Sequence, residues 1–346
     1  MRSIWKKLFG SSDTFYYLQQ LPEDLQRDHV LPFLTVPEAQ FLALTNQKMH
    51  RLFLEKKEVL HRLALPRCIL QAVMEGDHEK AESLIQKNPQ ALEVACDGTD
   101  FSGRTFKKIT AFQYALWALD RHRWQMILKY LPIEIAAKQF VEHMSESHPP
   151  EYVKKHGLHY DFNPLIRSLQ KVITQAQECL SQRESRIHWR SISSQALALA
   201  VFDWWHEYGE LQRKVPAHVA QEFCRLDRAL FPTPAFNEIE LPRTFSLFSI
   251  SSAETMQLWF PLVSQERKSV GRFAAVLRGS LNKAYFDYDF VLYLLPVSNH
   301  RNEIQTLIAQ QRYDCVALQR LRQVRLNELD LLKSSLNEIA VLRSII

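Results

Sequence analysis

The chain predicts a mainly α-helical protein, and three observations carry that expectation. Only 8 glycines occur in 346 residues, too few for a turn-rich β architecture. Apolar residues recur at three- and four-residue spacing over much of the length, as in Leu165, Leu169, Val172, Ile173 and Ala176, the repeat of a helix with one buried face. Residues 301–346 contain neither proline nor glycine and read as one long helix.

Composition narrows the function classes. Lys and Arg number 43 against 38 Asp and Glu, a net charge of +5 with the 13 histidines neutral. The two signs are interspersed, which argues against a nucleic-acid-binding surface. Apolar residues make up 46% and mean hydropathy is -0.24. No apolar run approaches the roughly 18 residues of a membrane span; the best, 196–205, is interrupted by Asp203. The opening MRSIWKKLFGSSD is basic but lacks the apolar core of a secretory signal, so residues 1–20 read as a flexible lead-in. The five cysteines, Cys68, Cys96, Cys179, Cys224 and Cys315, show no metal or redox spacing and point to a reducing cytosol. No cofactor and no metal are expected.

Residues 21–60 form the first module. Leu21-Pro22-Glu23-Asp24 opens a helix, with proline in its first turn and two carboxylates near the positive end of the dipole. Leu25, Val30, Leu31 and Leu34 follow along it. Val36-Pro37-Glu38 breaks that helix and opens a second, because a residue before proline leaves the α region. Ala39, Leu42 and Leu44 give its apolar side, and Asn46 caps a third helix holding Met49, Leu52 and Phe53. Three short helices bury little core and lean on a partner or a neighbouring domain. This pattern resembles the F-box: Leu-Pro, a carboxylate and Leu, an apolar pair, a Pro-Glu turn, then Lys48-Met49 and Arg51-Leu52. One residue too many lies between Leu25 and Val30, and Met49 stands where tryptophan is common. The resemblance implies that Leu21, Pro22, Leu25, Val30, Leu31, Leu34, Met49 and Leu52 face the Skp-type linker of a cullin–RING ubiquitin ligase.

Residues 61–135 carry helical hairpins. A charged helix over 56–67 is expected to end at Pro66. In 69–93, Leu70, Ala72 and Val73 form one apolar face and Ala81, Leu84 and Ile85 a second, around the tight turn Gly76-Asp77. Residues 95–108 read as a polar, basic loop. Thr110-Ala111-Phe112-Gln113-Tyr114-Ala115 then starts a helix, with Trp117, Trp124, Met126, Ile127 and Leu131 on the next buried face. The two hairpins resemble ankyrin repeats. Thr110 and Ala115 keep the Thr-Pro-Leu-His-x-Ala spacing, while Ala111 and Gln113 replace the proline and histidine, and the period from Ala72 to Ala115 exceeds the usual one of about 33. Two repeats need flanking helices as caps. An F-box-like module followed by ankyrin-like repeats is similar to the effectors that intracellular bacteria of the Legionella kind inject into host cells. That resemblance implies a host-cytosolic location.

Residues 136–346 are expected to be a helical region, with a division near 246 left open. A helix beginning at Pro132 gives way to a hinge over 145–150, and further helices cover 164–186 and Pro216 to Leu230. His156, His159 and Asp161 could ligate a metal, but Gly157 and the lack of further ligands favour a polar loop. Asp203, His206 and Glu207 share one helix face beside Phe202, Trp204, Trp205 and Tyr208. They suit an acid–base or metal site, although a wet helix edge is the commoner outcome. Residues 236–252 read as an extended chain, and 256–263 and 286–297 as apolar runs of undecided type. Asp287 and Asp289 have no support as a catalytic pair. Leu329, Leu332, Leu336 and Ile339 form a seam expected to dock on the protein's own domain.

No phosphate-binding glycine loop, nucleophile elbow or HExxH motif occurs, and no catalytic residue is assigned. The leading expectation is a non-enzymatic adaptor that docks on the Skp-type linker and presents an unidentified target protein for ubiquitination. The alternatives are a plain ankyrin scaffold and, with less support, an enzyme sited at Asp203–His206–Glu207 or Cys224.

Overall fold

The computed structural model describes residues 57–100, 102–182, 211, 214–225, 232–241, 244–249, 254–259 and 300–344. Two compact units divide the chain, Met1–Ile69 and Leu70–Ile346. The described residues are mostly helical, as the composition predicts. The eight F-box-like residues from Leu21 to Leu52, the Asp203–His206–Glu207 face and Asp287 and Asp289 lie outside them.

Helix α1 (Lys57–Glu75) runs through Pro66 rather than ending there. Proline removes one amide from the helix ladder, a cost of about 3 kcal/mol. Leu65 and Ile69, on either side, are buried, and burying two such side chains contributes a comparable amount. The turn after α1 is as expected: Gly76 has φ 81°, and Asp77 caps α2 (His78–Lys87) by accepting from the Lys80 amide. Ala81 and Ile85 form its buried side.

A single 3-10 turn (Pro89–Glu93) leads into a feature that the sequence reading took for a loop. Strands β1 (Cys96–Thr99) and β2 (Thr105–Ile109) pair antiparallel, with a register shift between Cys96 and Gly98. The link between them is organised by buried Asp100. Its Oδ1 accepts from the amides of Ser102 and Arg104, both at 2.9 Å, and from the Ser102 hydroxyl at 2.6 Å. The finger is seated on aromatic side chains. Phe106 lies 5.2 Å from Tyr114 and 4.7 Å from Trp117 between ring centroids, and the Arg104 guanidinium sits over both Trp117 and Tyr160.

Next come α3 (Ala111–Ala118), wholly buried, and α4 (Arg121–Leu128). Thr110 and Gln113 cap α3 reciprocally: the Thr110 hydroxyl accepts from the Gln113 amide, and the Gln113 side chain accepts from the Thr110 amide. Gln113 thus does at this position what a side-chain acceptor at N3 does in a capping box. Helix α5 (Ile133–His143) follows, then an irregular stretch to Pro150 where a hinge is expected, then α6 (Glu151–His156) beside β2.

Helix α7 (Asn163–Gln182) buries Leu165, Ile166 and Leu169. It packs along α9 (His300–Ser344), the expected long helix. Between them in sequence, α8 (Ala217–Cys224) gives way to extended backbone at Arg225, short of the expected end at Leu230. Strands β3 (Thr244–Ser249) and β4 (Glu254–Trp259) pair antiparallel, so the undecided run at 256 begins as strand. On α9, Leu329 and Leu336 are buried and α5 packs against this helix. Leu329 and Leu336 of the expected seam are thus covered by the protein's own chain, while Leu332 is half-buried.

Candidate protein-binding groove and the buried polar seam

A groove of about 580 Å³ opens where the base of the finger meets α3 and α5. Its floor is polar but internally satisfied. The Thr110 hydroxyl donates to Gln139 Oε1 at 2.6 Å, Gln139 Nε2 donates to the Leu92 carbonyl at 3.1 Å, and Gln113 Nε2 reaches the Gln139 carbonyl and Glu142 Oε2. Buried amides and hydroxyls that bond one another fix the shape of a surface, because breaking any one leaves its partner unsatisfied. The rim carries Glu93, Lys108, Lys138, Glu142 and His148, all exposed, and Val141, which is 62% exposed. On the far side of Val141 a second hollow, of about 290 Å³, is lined by Phe140 and Leu336 among others. An apolar ridge between two hollows with mixed charges around it suits an extended polypeptide better than a small molecule.

A second concentration of chemistry lies elsewhere in the fold. The start of α4 presents Asp120, His122 and Arg123, all buried. Against them pack His218, Gln221 and Glu222 of α8, the segment around Phe236 and Glu238, and Arg325 of α9. Arg325 is fully buried and donates to the Phe236 carbonyl at 3.1 Å and to Glu328 at 2.8 Å, with Glu222 at 3.5 Å. Arg225 lies 3.2 Å from Glu222 and 3.4 Å from Glu238, and Arg121 lies 2.8 Å from Glu328. Arg123 donates to the Gly76 carbonyl and stands 3.8 Å from Asp120. For Asp120, burial alone would raise the carboxyl's pKa, but Arg123 with His218 and His122 brings it down to about 2. The imidazoles lend charge only once protonated, so near neutrality Arg123 is the stabilising cation. Burial pulls His122 down to about 4 and His218 to about 3.

Of the positions singled out from sequence, His156 donates from Nε2 to the Thr105 carbonyl at 2.9 Å, while His159 donates from Nδ1 to the Tyr160 carbonyl. Among the described residues no group of His, Cys, Asp or Glu could hold a metal ion. Cys224 closes α8. The seam residues went unnoticed in the sequence. Arg325 carried a usable signal, because it falls at helical spacing among Leu318, Leu321 and Leu329, a charge inside an apolar stripe.

The chain belongs to the family defined by the CBUA0006 C-terminal domain, whose model matches residues 164–336, half of the chain. It is also similar to a protein of Coxiella burnetii (strain RSA 493 / Nine Mile phase I) described as "Uncharacterized protein CBUA0006". The two are 32% identical over 233 residues, covering 61% of this chain and 62% of the relative's own length. No solved structure matches the chain significantly. The matched span contains α8, Glu238, Arg325 and Glu328, whereas Asp120 to Arg123 lie before it. The seam is thus where the family domain meets the helical hairpins.

Proposed function

We propose that the protein is a non-enzymatic adaptor. Residues 21–53 dock on the Skp-type linker of a host cullin–RING ubiquitin ligase, and the groove between finger, α3 and α5 holds an extended segment of a target protein. The observation that carries this reading is the order helix pair, β-hairpin, helix pair, with an open groove at the finger's base. That order agrees with the ankyrin-like spacing of Thr110 to Ala115. The F-box part rests on the resemblance of Leu21 to Leu52 alone. A relative from Coxiella, an intracellular pathogen, is in keeping with action inside a host cell. Holding a target beside a ligase raises its effective concentration there without any chemistry by the adaptor.

The test is a pull-down of the full chain with purified linker and cullin, beside a Leu21→Ala/Pro22→Ala variant and a Val141→Glu variant. Linker recovered with the intact chain and with Val141→Glu, but lost with the double variant, supports the reading. No linker with the intact chain refutes the ligase link. Proteins captured from host-cell lysate by the intact chain and released by Val141→Glu would then favour the plain scaffold, since the described lining of the groove runs from Glu93 to Tyr152.

A further inference from the structure

His122 and His218 stand on either side of one carboxylate, with Nδ1 4.0 and 3.9 Å from the two oxygens of Asp120. His122 also uses Nε2, at 2.9 Å from the Glu238 carbonyl, so its neutral form donates there and leaves Nδ1 bare. Neither His122 Nδ1 nor either nitrogen of His218 has a hydrogen-bond partner among the described residues. The seam holds Asp120, Glu222, Glu238 and Glu328 against Arg121, Arg123, Arg225 and Arg325. Those charges balance four against four while both imidazoles are neutral. His78 of α2 stands nearby, within the fields of Arg123 and Asp120, and adds a cation only when protonated. We infer that the seam is an acid-sensitive latch: an imidazolium at either position adds surplus positive charge to a buried interface already holding Arg123 and Arg325, and loosens α8 and the 232–241 segment from α4. This inference does not depend on the adaptor reading.

The sign follows from burial. Both histidines have values in the closed seam, about 4 and about 3, below the usual 6.5. The closed state is therefore fully favoured above pH 6.5 and loses ground as pH falls below it, on the order of 30-fold per imidazole by pH 5. Most carboxylates stay ionised over that window, so the histidines dominate it. His143 on α5 is also held down to about 4 by burial and by His159, and it requires a readout local to the seam.

Amide hydrogen exchange on the full chain at pH 7.5 and 5.0, corrected for intrinsic rates, supplies that readout. Protection in α4 and α8 is expected to fall at least tenfold more than in α3, and the difference is expected to vanish in His122→Gln/His218→Gln. Equal loss in α3, α4 and α8, or the same loss in the double variant, overturns the latch. If that variant does not fold, ring carbon–proton spectra of the wild-type histidines decide. Rings that protonate only together with loss of α8 protection support it; rings that protonate near pH 6.5 with α8 still protected overturn it.

Discussion

Replacing Arg325 by methionine keeps much of the side-chain volume and removes the charge at the centre of the seam. Arg325 is wholly buried, and its guanidinium serves the Phe236 carbonyl, Glu328 and Glu222. Removing one partner of a buried ion pair costs about 3–5 kcal/mol, because the charge left behind stays away from water. Here the carboxylates are shared: Glu222 retains Arg225 at 3.2 Å and Glu328 retains Arg121 at 2.8 Å. The expected loss is therefore at the low end, about 3 kcal/mol. Urea unfolding at pH 7.5 measures it as a shift in midpoint at unchanged slope. Combining Arg325→Met with Glu222→Gln should recover about 1 kcal/mol or more, as expected for groups in one network. Arg121→Met is the control. Its pair with Glu328 is partly exposed, at 21% and 18% of the two side chains, and its loss should stay below about 1 kcal/mol. A loss under about 1 kcal/mol for Arg325→Met itself would refute the claim that this arginine ties the helices together.

Two further substitutions test the finger and the groove floor. Thr110→Val removes the cap of α3 and the bond to Gln139; a loss of about 1–2 kcal/mol is expected, read by thermal unfolding, and an unchanged midpoint would count against the capping role. Gly98→Val should destabilise by about 1–3 kcal/mol through overpacking, because even a Cβ at Gly98 would lie 2.7 Å from Met74 Sδ and 3.1 Å from Leu70. Adding Met74→Ala should relieve part of that penalty, and no relief would show that the contact is not the cause.

The helices were largely legible because their signals are local. The absence of proline and glycine marks α9, Gly76-Asp77 marks the first hairpin's turn, and Thr110 with Gln113 marks the start of α3. The strands were not. In β2, Thr105-Phe106-Lys107-Lys108-Ile109 breaks the two-residue alternation, since Phe106 and Ile109 are the buried pair. In the second hairpin, the register sets Phe245 opposite Leu258 and Leu247 opposite Met256, a grouping visible only once the pairing is known. Pro66 misled because the sequence shows the lost amide but not the burial of Leu65 and Ile69. The groove floor was half visible, through Thr110 and Gln113, while Gln139 reads as an unremarkable polar residue on α5. The seam's charges come from α4, α8, the 232–241 segment and α9, so only the fold brings them together.

That seam also bears on how the family domain can be handled and inherited. The match to the family model begins at residue 164, yet the compact unit begins at Leu70. Cutting at that edge of the model match would uncover Glu222, His218 and Arg325 while discarding Asp120, His122 and Arg123. A fragment of 164–336 would carry polar groups shaped for a surface it no longer has. For the same reason, grafting this domain onto another chain calls for moving α4 with it, since the Arg121–Glu328 ion pair spans that joint.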